Sequence, residues 1–194
     1  MERQTFLVLA SILACSAGYP VKPYHKHSFE LVCRADWGAN PSGPVTMLEE
    51  PASYVVIHHT YQPGVCKTRD SCVNAMQDMQ QFHQNGNGWS DIGYNFAIGG
   101  EGRVYEGRGW DVVGAHAVGY NSRSVGIAII GDWRSETPSK ASLKAVRALI
   151  ETGVKLGYIE PTYTLMGHRQ ASSTECPGDA LFNEISTWPR FRKA

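Results

Sequence analysis

The chain has no excess of charge of either sign. Lys+Arg and Asp+Glu each number 18 in 194 residues, and setting aside residues 1–17, with Glu2 and Arg3, leaves 17 of each. A neutral chain gives no electrostatic reason to expect nucleic acid or an anionic membrane surface as a partner. After residue 17 no segment approaches the ~18 consecutive apolar residues of a bilayer span, so no stable membrane insertion is expected. Internal repeats, low-complexity stretches and linker-like segments are also missing. Nothing therefore argues for a second folded unit. No His-Glu-x-x-His pattern occurs, which removes the glutamate base of that class of metal site.

The segments that are present divide the chain. Residues 5–17 form an apolar run behind Arg3 that ends in small residues, with Cys15 and Ala17 at suitable −3 and −1 positions. It reads as a secretory signal peptide spanning 1–17, and the mature protein is expected to be secreted and extracellular. Residues 18–30, polar and holding Pro20, Pro23, His25 and His27, read as a flexible N-terminal segment. Residues 31–194 then form one domain. An oxidising compartment suits a disulfide between Cys66 and Cys72, six apart in a polar loop. Cys15 leaves with the leader. Cys33 is left over and reads as a small buried hydrophobe, with an intermolecular bridge as the alternative.

The domain alternates between strand and helix patterns. Tyr54–Thr60 and Ser124–Ile130 are β-branched, apolar runs suited to buried strands. Tyr94–Ile98 and Val104–Arg108 flank Gly99-Gly100-Glu101-Gly102 as a hairpin would. Helical spacing runs over 72–83 and 139–156, and the second of these has Thr137-Pro138 before it and Gly157 after it. A short strand at Tyr163–Met166 and a last helix at Pro177–Trp188 complete the set. The fold class is α/β, a central mixed β-sheet flanked by about three main helices.

Three residues at the ends of elements carry donors of metal-ligand type. His58 ends the Val-Val-Ile strand, His168 follows Leu-Met-Gly, and Cys176 comes eight residues later. Zinc takes imidazole nitrogen and thiolate sulfur, and three protein ligands leave one position open. A His at a strand end also serves as a hydrogen-bonded structural residue, and from the residues alone both readings stand.

Several ordered blocks narrow the choice: Arg34-Ala35-Asp36-Trp37-Gly38-Ala39, Val56-Ile57-His58-His59-Thr60, Asp91-Ile92-Gly93-Tyr94-Asn95-Phe96, Val104-Tyr105-Glu106-Gly107-Arg108-Gly109-Trp110, Gly114-Ala115-His116, Gly126-Ile127-Ala128, and Gly167-His168-Arg169 with Cys176-Pro177-Gly178. On these the chain resembles, over residues 31–191, the peptidoglycan recognition proteins, which are related to phage-type N-acetylmuramoyl-L-alanine amidases. The resemblance implies the type 2 amidase fold, with a groove for bacterial peptidoglycan and muropeptides over the sheet. It implies zinc held by His58, His168 and Cys176, with Tyr94 as catalytic tyrosine. Thr174 matches a position where phage enzymes carry a catalytic Lys, which implies a supporting role. His59, His83, Gly88, Trp89, Arg108, His116 and Asn121 match groove positions. The pair Gly88-Trp89, together with Arg108, matches members that prefer diaminopimelate to Lys in the stem peptide. The extra carboxylate of diaminopimelate suits a bidentate guanidinium. The implied activity is hydrolysis of the amide between the lactyl group and L-Ala, in an antibacterial or other innate-immune setting. Members without the cysteine ligand bind peptidoglycan without cutting it, so the alternative is a non-catalytic receptor. Cys176 favours the enzyme, because a serine hydroxyl is a poor zinc ligand and a thiolate a strong one.

Overall fold

The structure, a computed structural model, describes residues 28–193. The leader at 1–17, with Cys15, and residues 18–27, with His25 and His27, lie outside the described residues. Nine elements follow in order: β1 (Leu31–Val32), β2 (Ala52–His59), α1 (Arg69–Gln81), β3 (Phe96–Ile98), β4 (Val104–Glu106), β5 (Ser124–Ile129), α2 (Lys140–Leu156), β6 (Ile159–Gly167) and α3 (Asp179–Ser186). The strands form one mixed sheet in the order β1-β4-β3-β5-β2-β6. Its pairings are parallel except for the β3–β4 hairpin. This is the mixed α/β sheet with three helices that the patterning implies.

Local chemistry sets the helix bounds. Thr68 caps α1, its hydroxyl accepting from the Ser71 N–H at 3.2 Å. Ser139 does the same for α2 through Ser142 at 3.0 Å, and Gly157 ends that helix in the left-handed region at φ 81°. The α1 helix therefore starts three residues before the spacing predicts. It ends in a single π turn, Phe82–Gly86, of the kind found next to functional sites.

Two faces of the sheet are covered unequally, and this creates the cleft. Under α2 and α3 lies the main core: Val55 and Ile57 of β2, Val125, Ile127 and Ile129 of β5, Phe96 and Ile98 of β3, and Val146, Leu149, Leu181 and Ile185 from the helices. On the other face, α1 covers the β1-β4-β3 side, where Met76 and Met79 meet Val32, Ala97 and Tyr105. The β5-β2-β6 half of that face carries only a small cluster, Val56, Met166 and Ala117. Among the described residues no α-helix is laid over it, so the residues of β2 that point there are left for chemistry.

One finding differs from the sequence reading. Cys33 is buried as expected, but it is disulfide-bonded rather than a free thiol. Just ahead of Leu31, Phe29 packs on the main core and the Glu30 carbonyl accepts from the Val104 N–H at 2.9 Å. The Cys66–Cys72 disulfide is present.

Gly153 in α2 offers a test of the packing. A Cβ there would lie 2.6 Å from Ile159 Cδ1 and 2.7 Å from Trp110. Alanine gains about 1 kcal/mol of helix propensity over glycine, whereas overpacking a core costs about 1–3 kcal/mol. Gly153→Ala is expected to lower stability by about 1 kcal/mol net, read as a fall in the denaturant midpoint. A rise would show that Ile159 and Trp110 have room to move.

Candidate metal centre

Alternation along β2 sends Val55 and Ile57 into the main core and Val56 and His58 to the open face. Parallel pairing then sets the second donor. Ile57 lies opposite Gly167, the last residue of β6, so His168 emerges beside His58, with ring centroids 4.4 Å apart. The chain returns through a turn closed by the Arg169 N–H on the Cys176 carbonyl at 2.8 Å. Within it the Cys176 N–H donates to Thr174 Oγ1 at 3.2 Å. This places Cys176 Sγ 3.7 Å from His58 Nδ1, where it accepts the His59 N–H at 3.4 Å. The donor atoms of His58, His168 and Cys176 all lie within 4.8 Å of one another.

The surroundings make these groups a fitting set for a cation. His58 is 1% exposed, and burial, reinforced by His116, His168 and His59, holds its pKa well below the usual imidazole range. Burial also lowers His168, helped by His59. Both rings are therefore neutral near pH 7, with lone pairs to give. Cys176 is the free cysteine among the described residues. Burial pushes its thiol up to about 12, against the opposing pull of the His59 N–H and Arg169. A divalent cation supplies the charge that makes the thiolate favourable there. Two imidazoles and one thiolate suit zinc. The other cluster of such groups, Cys66, Cys72 and Glu101, has its two sulfurs joined in the disulfide.

A supporting residue stands behind His58. His58 Nε2 and His116 Nδ1 are 3.0 Å apart, and a proton on His58 Nε2 frees Nδ1 toward Cys176. Burial, with His168 and Arg108, lowers the His116 pKa to about 3, so this ring is a neutral acceptor. Glycines make room for it: a Cβ on Gly126 would lie 2.3 Å from its Cδ2, and one on Gly114 2.4 Å. Asn121 holds the loop, its Oδ1 accepting from the His116 and Ala117 N–H groups at 2.9 and 2.8 Å. Partners of this kind fix the tautomer and the orientation of a metal-binding imidazole.

The donors open into a cleft of about 530 Å³. Tyr94, His59, His83, Trp89, His116 and Thr174 line it. The Tyr94 ring lies 5.3 Å from that of His58, and burial, then Cys176, raises its phenol well above the usual value. It keeps its proton at neutral pH and so has a hydrogen to donate. Trp89 is 39% exposed and stacks on His83 at 4.8 Å. Burial, with Arg108, lowers His83 to about 4, and its Nδ1 accepts the Gly93 N–H at 3.1 Å. Gly88 takes φ 70° with open space around it.

Three expected site residues do not line this cavity: Gly88, Asn121 and Arg108. Arg108 donates instead to the carbonyls of Ile92 at 2.7 Å, Val113 at 2.8 Å and Asp91 at 3.4 Å. Two of its five donors thus hold the backbone of the loop bearing Trp89 and Tyr94, and a third ties that loop to the segment around Val113. The cleft also has residues that sequence reasoning missed, chiefly Tyr61, Arg134 and Glu175. Tyr61 directly follows the Val-Val-Ile-His-His-Thr block, and that position was its one signal.

The arrangement defines an α/β domain with three donors of metal-ligand type converging at the floor of an open cleft. The chain belongs to the N-acetylmuramoyl-L-alanine amidase family, Amidase_2, whose pattern matches residues 48–179. It is similar to peptidoglycan-recognition protein LB of Drosophila melanogaster, 55% identical over 161 residues, covering 83% of this chain and 69% of that one. The solved structure of the Drosophila protein matches with a TM-score of 0.84 at 54% identity, over 85% of this chain and 97% of the other. An N-acetylmuramoyl-L-alanine amidase of Sus scrofa is 50% identical over 161 residues, 81% of this chain but 27% of that longer protein. Peptidoglycan recognition protein-LE, solved in complex with tracheal cytotoxin, a monomeric diaminopimelic acid-type peptidoglycan, matches with a TM-score of 0.81 at 42% identity, over 85% of this chain and 96% of the other.

Removing the support behind His58 is expected to loosen the metal without deleting a ligand. His116→Ala should lower zinc affinity by about ten- to a hundredfold, measured by competition with a chelating dye. An unchanged affinity would show that the His58–His116 contact does not orient the ligand.

Proposed function

We propose that this protein is a secreted, zinc-dependent N-acetylmuramoyl-L-alanine amidase of innate immunity. It would bind diaminopimelate-type peptidoglycan and hydrolyse the amide joining the muramyl lactyl group to L-Ala. The observation that carries the reading is the convergence of His58, His168 and the free, buried Cys176 at a cleft floor. A thiol set beside two neutral imidazoles at a cleft floor suits a metal ligand better than a packing residue. The family and its amidase members support the same reaction.

Zinc held by these three residues supplies Lewis acidity to the scissile carbonyl and a nucleophilic water near neutral pH. The chain's own residues do the rest. Tyr94 keeps its phenolic proton and stands beside His58, so it can donate to the oxygen that gains charge in the tetrahedral transition state. Thr174 fixes the Cys176 backbone and lines the same cavity. His116 holds the His58 ring in place. Trp89 offers an aromatic wall to the stem peptide, and the two Arg108 donors not spent on backbone carbonyls supply positive charge for the extra carboxylate of diaminopimelate. Among the described residues no helix is long and apolar enough to cross a membrane, and with the leader-like segment at 1–17 this supports secretion.

The deciding experiment is release of stem peptide from defined muropeptides, with and without a chelator. Cys176→Ser is expected to abolish release while muropeptide binding persists. Binding by wild type with no release would establish the receptor reading instead. Tyr94→Phe should lower kcat by about 10²–10³ with KM little changed; a change confined to KM would move Tyr94 from chemistry to binding. Arg108→Ala should weaken diaminopimelate substrates more than Lys substrates, and equal losses on both would remove its role in selection.

A further inference from the structure

His58 stands in a strand bonded on both sides, but the other two donors flank a loop. Between His168 and Cys176 none of residues 169–175 is fully buried, and Ser173, Thr174 and Glu175 are exposed. Packing inside the loop therefore does little to fix its shape. Cys176 Sγ must still return to 3.7 Å from His58 Nδ1. A loose donor binds a metal poorly, because binding then has to order the loop. Arg169 closes the neck of this loop twice. Its N–H donates to the Cys176 carbonyl at 2.8 Å, and its Nη2 donates to the Glu175 carbonyl. The residue that follows one donor thus grips the two residues that end at the other.

The guanidinium is itself held from α3. Nη1 donates to Asp179 Oδ1 at 2.6 Å, and Cζ lies 4.9 Å from the Phe182 ring centroid. The same helix buries Leu181 and Ile185 in the main core, so its position is set by packing. A planar fork stacks and bonds in two directions at once, which an ammonium does not. The ion pair adds little stability of its own, because the Asp179 side chain is 76% exposed and exposed pairs contribute little. Arg169 is not among the residues that line the cleft, so it is not placed to meet substrate. What it does is carry the position of a packed helix to the neck of the loop. We infer that Arg169 is a positioning residue for the metal centre, whose guanidinium, braced on α3, presets Cys176 Sγ beside His58 and His168. The inference rests on the metal reading and adds to it the device that aims the sulfur donor.

The test reads the metal directly, apart from amide cleavage. Zinc affinity is measured by competition with a chelating dye. The protein saturated with cobalt is scanned for thiolate-to-cobalt charge-transfer absorption, which reports the bond from Cys176. Arg169→Gln is expected to weaken zinc by about ten- to a hundredfold and to reduce the cobalt absorption. Arg169→Lys, which keeps the charge without the fork, should stay within about threefold of the Gln variant in zinc affinity. If either readout is unchanged in Arg169→Gln, or recovers fully in Arg169→Lys, the role is overturned. A loss of stability in the metal-free protein with both metal readouts intact makes Arg169 structural only and overturns it as well. If Arg169→Gln does not fold, the exposed change Asp179→Asn decides: zinc affinity lowered by about threefold or more supports the brace, and a smaller change overturns it. If wild type itself shows no such absorption, the metal reading fails, and the positioning role with it.

Discussion

The parallel pairing of β2 with β5 on one side and β6 on the other is the constraint on which the rest depends. It holds the Val-Val-Ile run in a fully bonded, buried strand, so the register cannot slip without turning every side chain to the wrong face. That fixed register puts His58 next to the place where β6 ends, and puts Gly126 opposite Val56, where the missing side chain leaves room for the His116 ring. The chemistry of the cleft follows from a sheet that is covered on one half of a face and bare on the other.

Electrostatics turns this geometry toward a cation. Four neutral or proton-holding groups, His58, His116, Tyr94 and Cys176, crowd the floor of the cleft, and burial is the first cause of the shift in each. Left without charge, the site favours the thiol. A bound divalent ion reverses that preference because the cost of a buried anion is met by its partner. The metal and the thiolate thus require each other, whereas an apolar cluster would have been simpler to fold.

Much of the fold was legible because its signals are local. The β-branched runs, the Gly-rich hairpin turn and the glycine that ends α2 each carry their own physics. The ends of elements were less clear: Thr68 starts α1 ahead of its apolar periodicity, and α3 is confined to Asp179–Ser186 within the broader 177–188 pattern. The donors at 58, 168 and 176 were visible as residue types at strand ends, but only the ordered blocks made one site of them. Tyr61 and Arg134 escaped notice because neither is a donor type with a spacing rule. Their place in the cleft is a tertiary fact. Arg108 shows the reverse problem. A guanidinium reads as a hand held out to a ligand, yet three of its donors bind carbonyls of its own chain.

His58 and Cys176 are 118 positions apart, so an ion bound between them is also a knot in the chain. It joins β2, bonded on both sides within the sheet, to the turn before α3, and a tie across so long a span removes considerable freedom from the unfolded ensemble. Zinc would then act as a late stitch in assembly, added once both halves have met, and the ion proposed for the chemistry would be part of what keeps the backbone closed.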